Sequence, residues 1–272
     1  MSFLLFLIAQ VGPSTMPLPT ARLPERPLAK HATPAPAATC KDLVRSAPLQ
    51  AIELADTQLR QVKGSAVVEP GECKALALSA LERWSEAEAA FLFARDAVPA
   101  NERGRRAMLG ASAGISAEAG GNRARGLELL DAAHAEALNG ADPVLAGKIA
   151  LDRGGMLYAL GRKPEAATAL AEARVALPDN SDAWLISARF SRREGKLADA
   201  QTQIETAARL LPVDPDIGLE AGVIAVLSGR DEAARRSWQS VIAAAPDSPQ
   251  AATARGYLAQ LAIAPAQPAP GR

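Results

Sequence analysis

The chain has 272 residues, of which 49% are hydrophobic and only 4% aromatic, and its 30 Lys and Arg residues balance its 30 Asp and Glu residues. A chain without net charge has no overall field to hold a phosphate backbone or an anionic membrane surface, so a nucleic-acid partner is not expected. The apolar residues lean towards Ala and Leu, which lose little side-chain entropy in a helix, so the composition favours an all-α fold.

The N-terminal segment, up to Thr39, differs from the rest. The apolar run MSFLLFLIAQVG could serve as a signal-peptide core, although no Lys or Arg precedes it and no clear small-x-small cleavage site follows. It is too short to cross a bilayer, so no integral membrane span is expected. Seven prolines between residues 13 and 39 predict an extended tether. We therefore expect residues 1–39 to combine a signal peptide with a tether, and the protein to be periplasmic or otherwise exported. A misassigned start or a cytoplasmic leader is the alternative.

Residues 40–146 contain degenerate helical pairs. The stretch CKALALSALERWSEAEAAFLFARDAVP has small residues at Ala75 and Ala87. The stretch AMLGASAGISAEAGGNRARGLELLDAAHAEAL has them at Gly114 and Gly126, in the same phase. The earlier segment APLQAIELADTQLRQ predicts the second helix of a still more degenerate pair. Insertions near residues 100–106 and 139–146 stretch the spacing here.

Residues 147–248 repeat one outline three times at a constant spacing. A glycine can adopt positive φ and end the first helix, and a proline stops the second helix, so each unit is predicted to be helix, tight turn, helix. Between these markers a small residue predicts a close helix crossing, and a large residue follows four positions later. The four recurring places are Gly161, Gly195 and Gly229; Ala166, Ala200 and Ala234; Leu170, Ile204 and Trp238; and Pro178, Pro212 and Pro246.

This outline resembles the tetratricopeptide repeat (TPR) family, whose units have small residues at the eighth and twentieth places, a bulky one at the twenty-fourth and proline at the thirty-second. The eighth place holds Gly154, Ala188 and Gly222, and Trp184 fits the aromatic fourth place. One helix pair cannot bury its apolar face alone, so such units stack. The resemblance implies a right-handed α-solenoid, with QAATARGYLAQLAI (residues 249–262) as a capping helix and residues 263–272 as a disordered tail.

In the TPR family the first helices line a concave groove that holds a peptide or helix of another protein. Its clamp for a C-terminal carboxylate uses Lys and Asn, which this chain does not reproduce. We expect Arg189 to be exposed and unpaired; with Arg192 and Arg193 it could receive an acidic segment, or form a solvated face. Carried over by position, the groove residues are Lys148, Asp152, Gly155 and Tyr158; Asp182, Ile186, Arg189 and Arg192; and Asp216, Glu220, Val223 and Val226.

The resemblance therefore implies a scaffold or adaptor whose partner is another protein, and we expect it to act in a bacterial cell envelope. A cytosolic regulatory partner of an enzyme is the alternative, and the residues do not identify the partner or the oligomeric state.

The two cysteines, Cys40 and Cys73, are separated by nearly one repeat. They would occupy equivalent places on the first helices of neighbouring units, where Cα atoms can approach to the roughly 4.4–6.8 Å that a disulfide needs. Two interpretations stay open: a disulfide formed in an oxidising compartment, or two unrelated buried thiols.

Few residues could carry chemistry. His31 lies in the tether, and His134 is expected to be a partly exposed helix histidine. The histidines and cysteines lack the close spacing of metal ligands, and no phosphate-binding glycine loop follows a strand. We therefore expect no cofactor, no metal and no catalytic residue, and predict that the protein is not an enzyme. An unrecognised active site is the remaining alternative.

Overall fold

The computed structural model describes residues 39–263, which contain thirteen α helices, one short 3-10 helix (Gly64–Val67) and no strand. The predicted all-α solenoid is confirmed. The helices are α1 Cys40–Ser46, α2 Pro48–Leu59, α3 Val68–Ala80, α4 Trp84–Ala97, α5 Arg103–Ala119, α6 Arg123–Asn139, α7 Pro143–Ala159, α8 Lys163–Ala176, α9 Ser181–Arg193, α10 Leu197–Leu210, α11 Pro215–Leu227, α12 Asp231–Ala244 and α13 Pro249–Ile263.

The predicted signal peptide and tether, His31 within them, and the predicted tail beyond residue 263 lie outside the described residues. Within residues 39–263 no helix is both long enough and apolar enough to cross a membrane.

The helices form successive antiparallel pairs, α3 with α4 through α11 with α12, and each pair packs on the next. The first helices of the pairs, α5, α7, α9 and α11, also contact one another in series, and α11 contacts α13. One surface of the array is therefore made by first helices. We call this surface the first-helix face.

The turn inside each pair needs a residue with positive φ. Gly161, Gly195 and Gly229 have φ values of 76°, 74° and 70°, as their spacing predicts, and Gly121 has 88°. In the pair α3 and α4 the same turn is made by Glu82, with φ 56°. A side chain is disfavoured there because its Cβ crowds the neighbouring carbonyl. The pair α3 and α4 therefore keeps the same turn although its sequence has no glycine at this place.

Small residues allow the two helices of a pair to cross closely. Ala166, Ala200 and Ala234 are fully buried. Gly154 faces Leu170 so closely that an added Cβ would lie 2.7 Å from the leucine side chain. The small and bulky residues of the repeat are therefore partners in one contact, which is why they recur together.

The insertions upstream lengthen helices. The helices α5, α6 and α7 have 17 residues each, whereas those from α9 to α12 have 13 or 14. The extra residues near 100–106 and 139–146 include the first turns of α5 and α7. The phase of the small residues survives because the added turns lie outside the crossings.

A disulfide joins Cys40 at the start of α1 to Cys73 in α3, with Cα atoms 5.9 Å apart. Cys73 is buried beside Ala51 and Ala55 of α2. A seven-residue helix is too short to be stable alone. The disulfide therefore fastens the first short helix to the array.

Candidate protein-binding groove

The predicted groove residues lie on α7, α9 and α11, at spacings that place them on one side of each helix. Lys148, Asp152 and Asp182 are exposed, while Tyr158 and Val223 are half-buried. The first-helix face thus presents these side chains in three neighbouring strips. The strips differ in how their charges are compensated.

The expectation that Arg189 is unpaired is wrong. Its Nη2 lies 3.2 Å from Asp216 Oδ1, and its Nε lies 3.8 Å from Glu220 Oε2. The arginine is half-buried between α9 and α11. The sequence shows a cluster of arginines, but Arg189 already pairs with two carboxylates of the next repeat, those of Asp216 and Glu220.

Glu220 is a buried charge and not an open groove residue, since only 6% of its surface is exposed. Arg192 donates from Nε to Glu220 Oε1 at 2.5 Å and from Nη2 to Oε2 at 3.3 Å. A buried carboxylate is tolerated when paired cations and hydrogen bonds replace its water. Arg192 and Glu220 therefore hold α9 against α11, and Arg192 is not free to meet an acidic partner.

Tyr158 forms the boundary between α7 and α9. Its ring meets Phe190 edge to face, with centroids 5.5 Å apart. The guanidinium carbon of Arg193 lies 5.7 Å from the Tyr158 ring centroid. The third arginine of the cluster is thus occupied by a cation–π contact.

Asp152 on α7 differs from the paired charges. Loss of solvent around its carboxylate raises the pKa to about 6, and the charge of Glu118 on α5 adds to the rise. Asp152 nonetheless keeps an exposed surface, as a side chain on the wall of a groove does. Among residues 39–263 no Lys, Arg or His lies within ion-pair distance of this carboxylate.

An apolar opening of about 300 Å³ lies at the C-terminal end of the first-helix face. The predicted Val223 and Val226 line it together with Leu227 from the end of α11. Trp238, Tyr257, Gln260 and Leu261 complete its wall, and the rings of Trp238 and Tyr257 lie 5.1 Å apart. Trp238 is held in place because its indole N–H donates to the Leu219 carbonyl at 3.1 Å.

Sequence reasoning missed five of the seven residues that line this opening. Trp238 was assigned only to the repeat core, and Leu227, Tyr257, Gln260 and Leu261 were not selected. Tyr257 stands one full repeat after Val223, so extending the repeat frame into the closing helix would have found it.

A second polar cluster lies away from the groove residues. His134 is buried, contrary to the expected partial exposure, and its Nε2 lies 2.8 Å from Glu172 Oε1. Arg153 pairs with Asp131 at 2.7 Å and approaches Glu172 at 4.0 Å. These contacts join α6, α7 and α8. Within residues 39–263 no group of three or more His, Cys, Asp and Glu side chains could hold a metal ion.

Solved structures share this architecture. BtubC (BKLC) from P. vanneervenii has a TM-score of 0.61 at 13% identity, over 86% of this chain and 96% of that one. PilW, described as a widely conserved type IV pilus biogenesis factor, has 0.56 at 21%, over 76% and 97%. YrrB, described as a TPR protein with an unusual peptide-binding site, has 0.49 at 19%, over 77% and 98%. No protein-family model matches the sequence, and no curated protein matches it either.

These likenesses define the class by fold: the chain is an α-solenoid with a TPR-like fold. Identities of this size carry no partner, substrate or compartment from one protein to another. The function must be argued from the groove of this chain.

Proposed function

We propose that the protein is a non-enzymatic adaptor that holds a peptide or helix of another protein on its first-helix face, in the bacterial cell envelope. The observation that carries this proposal is the apolar opening beside Val223, Leu227 and Tyr257. A concave apolar site with few polar groups suits a hydrophobic anchor of a partner.

The surroundings of the opening favour a protein ligand. Leu227 is a large apolar residue with 53% of its surface in solvent, next to the half-buried Val226. Exposed apolar surface beside a cavity marks interaction sites because it gains from burial by a partner. The neighbouring Arg189 and Arg192 are paired with Asp216 and Glu220, so their charges are compensated within the chain.

The charged clusters of the described residues favour a structural role over catalysis. Arg192 and Glu220 join adjacent first helices, and His134 with Glu172 joins adjacent second helices. A catalytic site needs a nucleophile or base beside a place for substrate. The largest pKa shift, at Asp152, belongs to a carboxylate with no hydroxyl, thiol or imidazole partner among the described contacts.

The envelope assignment draws support from the disulfide. Disulfides persist in oxidising compartments and are rare in the cytosol. The Cys40 and Cys73 pair fastens α1 to the array, so its oxidation has a structural purpose. The apolar N-terminal run is compatible with export. The cytosolic alternative would require the two thiols to remain reduced.

Two matched variants test the groove. Leu227→Glu places a charge at the opening, whereas Leu138→Glu places one at a residue of α6 with nearly the same exposure, 52%. Tagged wild-type protein should capture a defined partner from the native host. Leu227→Glu should reduce the captured amount at least tenfold, and Leu138→Glu should leave it unchanged. Equal capture by both variants would refute the groove as the binding surface.

A further inference from the structure

A charged contact joins the neighbouring first helices α9 and α11. In α9 and α11, Glu220 lies two residues before the small residue Gly222, and it receives Arg189 and Arg192. These arginines lie one and four residues after the small residue Ala188 of the preceding unit. The repeat therefore brings these three places together, and here they form a neutralised carboxylate.

The same three places in α5 and α7 have a different chemistry. Asp152 lies two residues before Gly154, and Ile115 and Glu118 lie one and four residues after Gly114. Where Glu220 has two arginines at the other two places, Asp152 has an isoleucine and a second carboxylate. The helices α5 and α7 are in contact, and the negative charge of Glu118 contributes to the raised pKa of Asp152.

Among residues 39–263 no cation lies within ion-pair distance of the Asp152 carboxylate. Glu118 has Arg123 at 3.4 Å, a largely exposed contact near the turn between α5 and α6. Lys148 lies one turn before Asp152 on α7, but no ion pair joins them. Asp152 thus lacks the cationic partners that Glu220 of α11 finds on α9.

The surface beside Asp152 has room for a side chain. A Cβ added at Gly155, one turn further along α7, would meet nothing within 4 Å. On α5, Ile115 and Met108 expose apolar surface and, being seven residues apart, lie on one face of that helix. A long side chain with an apolar stem and a cationic head matches this combination of open backbone, apolar wall and carboxylates.

We infer that the α5–α7 section of the first-helix face receives a lysine or arginine of the partner segment. The cation lies between Asp152 and Glu118, as Arg192 lies against Glu220, and apolar neighbours of that residue cover Ile115 and Met108. This inference rests on the proposed function and adds the chemistry of the ligand. It specifies a basic residue flanked by apolar ones and excludes an acidic segment.

A selection from random dodecapeptides displayed on phage tests the inference with the full chain as target. Peptides enriched by the wild type should carry Lys or Arg beside apolar residues. Asp152→Arg should abolish this preference because the new guanidinium can pair with Glu118 and fill the place internally. Asp199→Arg, at an exposed residue of the second helix α10, should keep the wild-type preference.

The strongest enriched peptide is then made with arginine or with citrulline, which has nearly the same shape and no charge. Citrulline should weaken binding to the wild type at least tenfold, and the Asp152→Asn variant should bind both peptides within about twofold. A basic preference that persists in Asp152→Arg, or equal binding of both peptides by the wild type, overturns the inference while the groove remains a binding site. If no peptide is enriched over a blank support, both the groove proposal and this inference fail.

Discussion

Asp152 illustrates how a residue available for binding can cost stability. Its folded-state pKa of about 6 lies above the roughly 3.9 of an unfolded Asp. The folded state therefore binds the proton more tightly, so stability falls as pH rises through this interval and stays lower above it. The negative charge of Asp152, which we assign to partner recognition, thus destabilises the free protein at neutral pH.

Asp152→Asn should raise the melting temperature at pH 7.5 by about 1 to 3 °C, a modest change because the carboxylate is partly exposed. The gain should shrink at pH 4.5, where the wild-type carboxylate is largely protonated in the folded state. Thermal unfolding followed by circular dichroism at the two pH values measures it. A variant that melts below the wild type at pH 7.5 would contradict the raised pKa.

Arg189 has the opposite role, because it satisfies carboxylates of the next repeat. Arg189→Glu would set a third negative charge beside Asp216 and Glu220. We expect a loss of about 1 to 3 kcal/mol of unfolding free energy, since Glu220 is buried. Arg209→Glu, on the exposed side of α10, should lose far less. Equal urea midpoints for the two variants would show that the ion pairs contribute nothing.

At the scale of the element, the turn between α3 and α4 is strained at Glu82. Glu82→Gly should stabilise the protein by about 1 kcal/mol because glycine tolerates positive φ. Glu82→Ala keeps a Cβ and should bring no such gain. Urea unfolding of the three proteins tests this, and an Ala variant as stable as the Gly variant would contradict the assigned turn.

The helix crossing inside each pair gives a second test at this scale. Ala200→Leu should overpack the crossing of α9 and α10 and cost about 1 to 3 kcal/mol, because Ala200 has no exposed surface. Ala198→Leu makes the same change at an exposed place on the same helix. Similar melting temperatures for the two leucine variants would refute the repeat frame.

The short helix α1 depends on its disulfide. Exported protein should show Cys40 and Cys73 joined in non-reduced peptide mass spectra. Cys40→Ser should increase hydrogen exchange in α1, while α9 to α12 remain protected, because repeats unfold locally. Two free thiols in exported material would refute the pairing. Unchanged exchange in α1 would show that the bond does not hold this helix.

The repeat frame could be predicted because its markers act within one unit. Gly161 shapes its own turn, and Gly154 makes room for Leu170 of the same pair. The same repeat frame predicted that Asp152 lies on a first helix, among the groove residues. Pairings between units could not be predicted, since they depend on how adjacent helices cross. For that reason the partners of Arg189 and the burial of His134 by the next pair were missed.

At the scale of the whole molecule, the described first-helix face changes in character along the array. The α5–α7 section holds Asp152, whose carboxylate has no ion-pair partner among the described residues. The α9–α11 section holds paired charges, and the α11–α13 section holds an apolar opening. One partner segment that spans them would place a basic residue at one end and an apolar anchor at the other. This polarity fixes the direction in which such a segment binds.

The central claim is that a partner occupies the first-helix face, and site-specific photo-crosslinking in the native host tests it most directly. A benzophenone amino acid replaces Leu227 in one strain and Leu138 in another, two places of matched exposure. We predict a discrete crosslinked partner from position 227 and none from position 138. A discrete partner at position 138 with none at 227 would contradict the account.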